Sequence, residues 1–139
     1  MDIQEVPFNR SLGIKPSARD GYILEMGYDK KLSNHLGTLH AGALFTLAEA
    51  ASGAFLLEQF QNTDLDIVPV VRKGENKYSR PAESTVYASA DYAEQSADAV
   101  YSALKERGKA VVEVKVELYN EAHERTVVAS IHWFLTLVQ

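Results

Sequence analysis

One stretch constrains this chain more than any other. From Ala41 to Leu57 every residue is apolar or small apart from a single ionisable residue, Glu49. A helix that is hydrophobic all round is normally buried, so this run predicts a central helix over residues 40–60 wrapped by the rest of the chain. Gly42, Ala43, Ala48, Ala50, Ala51, Gly53 and Ala54 allow close backbone approach on several sides. Each glycine costs a helix roughly 1 kcal/mol against alanine, so packing needs outweigh propensity here. A buried carboxylate must be paired, be protonated or have a job. No Lys or Arg stands within two helical turns of Glu49 to neutralise it.

The 139 residues are the size of one ordinary domain, and no repeat or linker divides residues 1–139. Hydrophobic residues make up 46%, enough for a core. There is no cysteine, hence no disulfide framework and no thiolate chemistry. The net charge is −5 with scattered basic residues, which argues against nucleic acid as a partner. The first ten residues lack the basic and apolar regions of a signal peptide. Glu49 interrupts the only candidate for a membrane span. The expectation is a cytoplasmic protein with no membrane partner.

Around the long helix the pattern reads β-α-β-β-α-β-β. Residues 1–18 are irregular, with a short turn near Phe8 to Leu12. Residues 19–28 alternate as a strand, with Tyr22, Leu24, Met26 and Tyr28 on one face. Residues 66–80 are extended, with Pro69 marking an edge or a strand start and Gly74 a bulge. Residues 84–92 put Val86, Ala88, Ala90 and Tyr92 on one face. Residues 96–107 form an amphipathic helix with Ala97, Val100, Tyr101 and Leu104 on one side, capped by Ser96 and stopped by Gly108. Residues 110–119 and 126–138 alternate cleanly. The strands after the long helix can join as an antiparallel meander, giving an α+β layer of about five strands around one helix.

Glu49 is the first candidate for chemistry. Desolvation raises a carboxylate pKa and makes it a better base or nucleophile near neutral pH. The helix start is the second: the backbone N–H groups of Ala41 and Gly42 have no partner within the helix, and the dipole favours negative charge there. Such donors stabilise an oxyanion. Asn34 can orient a water or hold the loop, and His40 can donate to a carbonyl or cap the helix. Ala41 and Glu49 are eight residues apart, about 12 Å along a helix, too far to share one substrate carbonyl within one chain. A two-fold interface would bring Glu49 of one copy to the helix start of another. Arg72, Lys73, Lys77 and Arg80 form a basic cluster around the third strand segment, either a solvated face or, given a phosphate-bearing substrate such as coenzyme A, a place for its phosphates. No His, Asp and Glu spacing resembles a metal site, and no P-loop, dinucleotide fingerprint or GxSxG elbow is present.

The run Asn34-His-Leu-Gly-Thr-Leu-His40-Ala-Gly-Ala-Leu-Phe-Thr-Leu-Ala-Glu49 closely resembles the motif of the hotdog-fold thioesterases of the PaaI-like group. That motif has Asn or Gln, then Gly-Thr and His, a Gly-Gly or similar pair, and an acid nine residues after the His. Tyr78-Ser-Arg-Pro-Ala82 resembles the family's strand ending in a basic residue, Pro and Ala. The resemblance implies the hotdog fold, a long central helix wrapped by a curved antiparallel sheet, with the 96–107 helix as an extra element. It implies a dimer with a continuous sheet, often paired into a tetramer, and hydrolysis of acyl-CoA thioesters with no cofactor beyond the coenzyme A of the substrate. By position Glu49 would be nucleophile or general base and the Ala41 N–H, followed by Gly42, would polarise the carbonyl. His40 and Asn34 would assist, and Arg80 and its basic neighbours would meet the CoA phosphates. The chain departs from the family at Ala41-Gly42, and Val68 to Val71 lack a water-positioning hydroxyl that Ser52, one turn after Glu49, would supply instead. The alternative is a non-catalytic acyl-CoA binding or sensing module. A hotdog dehydratase fits less well, because that group spaces its His and acid differently.

Overall fold

The computed structural model describes residues 2–138. A 3-10 turn at Ile3–Glu5 leads into a short helix α1 (Pro7–Ser11), then β1 (Lys15–Pro16) and β2 (Leu24–Met26). The long helix α2 spans Ala41–Phe60. It is followed by β3 (Ile67–Tyr78), β4 (Val86–Tyr92), α3 (Ala97–Arg107), β5 (Lys109–Tyr119) and β6 (Arg125–Leu137). All six strands form one antiparallel sheet in the order β1-β2-β4-β5-β6-β3. The architecture is the expected α+β layer, with α2 against one face of the sheet.

Sequence and structure differ in several places. The strand expected over residues 19–28 is only Leu24–Met26, preceded by β1; Glu25 is buried too, because its carboxylate accepts the Ala18 N–H at 2.8 Å. β4, β5 and β6 form the meander, but β3 crosses to the far edge and pairs only with β6. Pro69 therefore does sit on an edge strand. The bulge falls at Arg72, between Val71 opposite Trp133 and Lys73 opposite His132, not at Gly74. Ala97 is exposed, and α3 buries only Val100 and Leu104 fully.

The core follows the alternation. Val112, Val114, Val116 and Leu118 of β5 and Val127, Ala129, Ile131, Trp133 and Leu135 of β6 turn toward α2 and are buried. The helix answers with Leu44, Leu47, Leu56 and Phe60. Each side chain of that size is worth about 1.5–3 kcal/mol when fully buried. So α2, long and apolar enough by composition to cross a membrane, is here the inner layer of the fold. α3 is held at both ends as its sequence predicts. Ser96 Oγ accepts the Ala99 N–H, and Gly108 takes the left-handed conformation at φ 73°. Asp64, after α2, accepts hydrogen bonds from Tyr101 and Lys105 and ties α3 to the helix end.

The long helix is not covered on every side. Ala41 and Gly42 are exposed, and Phe45 and Glu49 are half-buried. These residues recur at helical spacing and form one open stripe next to the edge strand β3.

Candidate active site at the start of the long helix

His40 is the N-cap of α2. Its Nδ1 accepts the Gly42 N–H at 2.8 Å, and its carbonyl accepts the Ala43 and Leu44 N–H groups. The ring must therefore carry its proton on Nε2 when neutral. A Cβ on Gly42 would stand 3.1 Å from His40 Nδ1, so the glycine allows the close approach of the ring. The Gly42 N–H is thus occupied and not available to a substrate. The Ala41 N–H is the remaining donor at the helix start, with no partner among the described residues. It lies where the helix dipole is positive.

Asn34 holds the loop that delivers His40. Its Oδ1 accepts from the Leu36 and Thr38 N–H groups, and its Nδ2 donates to Thr38 Oγ1 and the Leu39 carbonyl. A carboxamide has two donor hydrogens and two acceptor lone pairs, and all four are spent within the turn. Ser52 is likewise engaged. It is fully buried, donates to the Glu49 carbonyl at 2.7 Å and accepts the Trp133 indole N–H at 2.8 Å. It is a core anchor and not a group facing the Glu49 carboxylate. Ser52 therefore does not turn its hydroxyl to the stripe.

Glu49 is half-buried on the open stripe rather than enclosed. Burial against apolar neighbours alone pushes its carboxyl above the ordinary glutamate value, and no basic group offsets this. That leaves a carboxylate whose charge is uncompensated and whose basicity is raised.

The basic residues do not form one cluster. Lys73 and Lys77 project from the sheet face opposite α2, and Lys73 pairs with Glu75 at 2.8 Å. The Arg72 guanidinium lies over the Phe134 ring. Arg80 pairs with Glu124 at 3.1 Å. Lys77 has no ion pair among the described residues. Arg80 belongs to a segment beside the helix start: Ala82, two residues on, accepts the Leu39 N–H at 2.8 Å.

Two residues that the sequence did not single out for this region stand beside the helix start. Tyr78 donates its hydroxyl to the Ala41 carbonyl at 3.2 Å and fixes the first turn of α2 to β3. Asn76, also on the helix side of β3, has its Oδ1 buried without a partner among the described residues. A groove of about 860 Å³ lies elsewhere, at the far end of α2 between Ile3, Leu57, Phe60 and Ile67.

A family model described as a domain of unknown function (DUF4442) matches residues 4–135. No curated protein matches at a significant level. Solved structures do. A Pseudomonas aeruginosa protein of unknown function, named a probable thioesterase, is 27% identical over 98% of this chain and 91% of its own, with a TM-score of 0.78. The PaaI protein of the phenylacetic acid degradation operon of E. coli is 17% identical over 98% and 87%, with a TM-score of 0.69. A Bacillus halodurans protein solved with CoA is 18% identical over 89% and 72%, with a TM-score of 0.68. This chain shares their fold, the hotdog fold of the thioesterase superfamily.

Proposed function

The chain belongs to the DUF4442 family, and from that premise we propose that it hydrolyses acyl-CoA thioesters. The observation that carries this reading is the stripe on α2. It holds a half-buried carboxylate of raised basicity, Glu49, and an unpartnered backbone donor, Ala41, on one uncovered helix face. The probable-thioesterase name of the P. aeruginosa relative and the CoA in the B. halodurans structure support the same substrate class.

The two groups lie about 12 Å apart along one helix, so one chain does not complete a site. β3 is a twelve-residue edge strand with Val68 and Val70 exposed. Edge strands of this length invite pairing with another chain. A second copy joined there by a two-fold would cover the stripe and set its Glu49 against the first copy's Ala41 N–H, making two composite sites. The thioester carbonyl would accept from Ala41. Glu49 would take the proton from the attacking water, or attack directly through an anhydride. Arg80 is the basic residue best placed for a CoA phosphate. No cofactor is needed beyond the CoA of the substrate.

The test is thiol release from short, medium, long and aromatic acyl-CoAs, beside Glu49→Gln. Turnover that collapses in the variant supports the hydrolase. A second reading, a non-catalytic acyl-CoA binder, is favoured by one observation: Asn34, Gly42 and Ser52 already spend their polar groups inside the fold. Saturable CoA binding without turnover, unchanged in Glu49→Gln, would select it. Composite sites have their own test. Co-expressed Glu49→Gln and Gly42→Val chains should regain about one quarter of wild-type activity, one intact site in half of the dimers.

A further inference from the structure

The sheet register places Asn76 opposite Ala129, a buried residue on the face turned toward α2. Two residues before it, a Cβ on Gly74 would stand 3.0 Å from the Phe45 ring. Two residues after it, Tyr78 bonds the Ala41 carbonyl at 3.2 Å. Asn76 therefore lies beside the turn of α2 between Phe45 and Ala41, the turn that carries the free N–H. Its Oδ1 is buried with no partner, whereas its Nδ2 is not among the buried orphans and donates to no acceptor among the described residues. A buried unpaired acceptor weakens the fold, and such a group calls for a reason. The other buried orphan, the Tyr92 hydroxyl, belongs to a residue packed against Phe55, beyond Glu49 from the helix start, and has no such neighbours.

We propose that Asn76 is the second oxyanion donor of the thioester site, partnering the Ala41 N–H. The assignment rests on the hydrolase reading above. Water oxygen attacks the thioester carbon while its proton passes to Glu49 of a second copy. The carbonyl π pair moves onto oxygen, which accepts from the Ala41 N–H and an Asn76 Nδ2 hydrogen. Collapse re-forms the carbonyl and breaks the C–S bond. The CoA sulfur takes the proton back from Glu49, leaving acid and free thiol. A pair of preorganised donors is what this intermediate needs, and Asn76 supplies a side-chain amide donor that neither Asn34 nor Ser52 leaves free.

The experiment uses the full chain with Asn76→Ala and Asn76→Asp, assayed by thiol release on the best acyl-CoA of the panel, with Tm and sedimentation mass recorded. The expected result is a kcat lower by about 10²–10³ at nearly constant KM in both variants. The Tm of Asn76→Ala should equal or exceed that of wild type, because an orphan acceptor leaves the core. The mass should not change. A kcat within about threefold of wild type overturns the assignment. So does a Tm that falls with the activity, or a loss of mass, since either makes Asn76 a structural or interface residue. Wild-type protein that turns over no acyl-CoA overturns the hydrolase reading and this assignment with it. An active wild type beside an unimpaired Asn76→Ala overturns this assignment alone.

Discussion

Removing the Ser52 hydroxyl separates a core role from a catalytic one. Ser52→Ala takes away the acceptor of the Trp133 indole N–H, held at 2.8 Å, in a residue that is 5% exposed. It also removes the donor to the Glu49 carbonyl, but that carbonyl keeps its place in the helix ladder. The main cost is the indole N–H left unpaired in the core, about 1–3 kcal/mol. Little cavity is made, since one oxygen is lost from a site already packed. At about 2.1 cal/mol/K per residue, 139 residues give an unfolding entropy of about 0.3 kcal/mol/K, so a loss of about 2 kcal/mol lowers Tm by about 7 °C. Trp133 is the only tryptophan, so urea unfolding followed by its fluorescence reports on the very bond removed. Thiol release per folded molecule should stay at the wild-type level. A stability change below about 0.5 kcal/mol refutes the anchoring argument. Lost turnover at unchanged stability would return Ser52 to the site.

Glu49→Gln should stabilise the protein at neutral pH while abolishing turnover. The folded-state pKa of Glu49 lies above the ordinary value of 4.5, so its contribution is most favourable below pH 4.5 and is lost as pH rises through the raised value. The gain in Tm of the variant should therefore shrink and vanish as pH falls below 4.5, and the acid limb of wild-type kcat/KM should lie above the ordinary glutamate range. His40→Ala should cost about 1 kcal/mol by removing the cap. His40→Asn should restore that stability in urea unfolding, and restored turnover as well would limit His40 to capping. Gly108→Ala, at φ 73°, should destabilise by about 1 kcal/mol with no effect on KM.

Much of this was legible because it is local. The α2 run, the Ser96 and Gly108 boundaries of α3 and the alternation of β5 and β6 each need only a few neighbouring residues to read. Glu49 and the helix start were legible for the same reason: one is a charge in an apolar run, the other follows from where that run begins. The roles of Asn34 and Ser52 were not. Asn34 spends its amide on a turn whose shape the sequence leaves open, and Ser52 meets Trp133 across 81 positions. Alternation assigns faces but not neighbours, so nothing local sends β3 across the sheet to β6.

Asn76 was hidden by one residue. Strict alternation from Ile67, which is buried, would turn Pro69, Val71, Lys73, Glu75 and Lys77 toward α2. That is an impossible inner face, three charges set against an apolar helix. The bulge at Arg72 resolves it. Lys73 pairs with His132 instead of continuing the count from Val71 and Trp133, so the parity inverts and Gly74, Asn76 and Tyr78 face inward. The extra residue thereby clears space for the Phe45 ring at Gly74, brings the Tyr78 hydroxyl to Ala41 and sets the Asn76 amide beside the helix start. The same inversion sends Lys73 and Lys77 to the outer face, away from that helix. Lys73 and Lys77 are thereby set apart from Arg80, which lies past the end of β3. Deleting Arg72 should return the charged residues to the core side and unfold the protein, whereas Arg72→Ala should keep the bulge, the fold and the site, and circular dichroism with thiol release distinguishes the two.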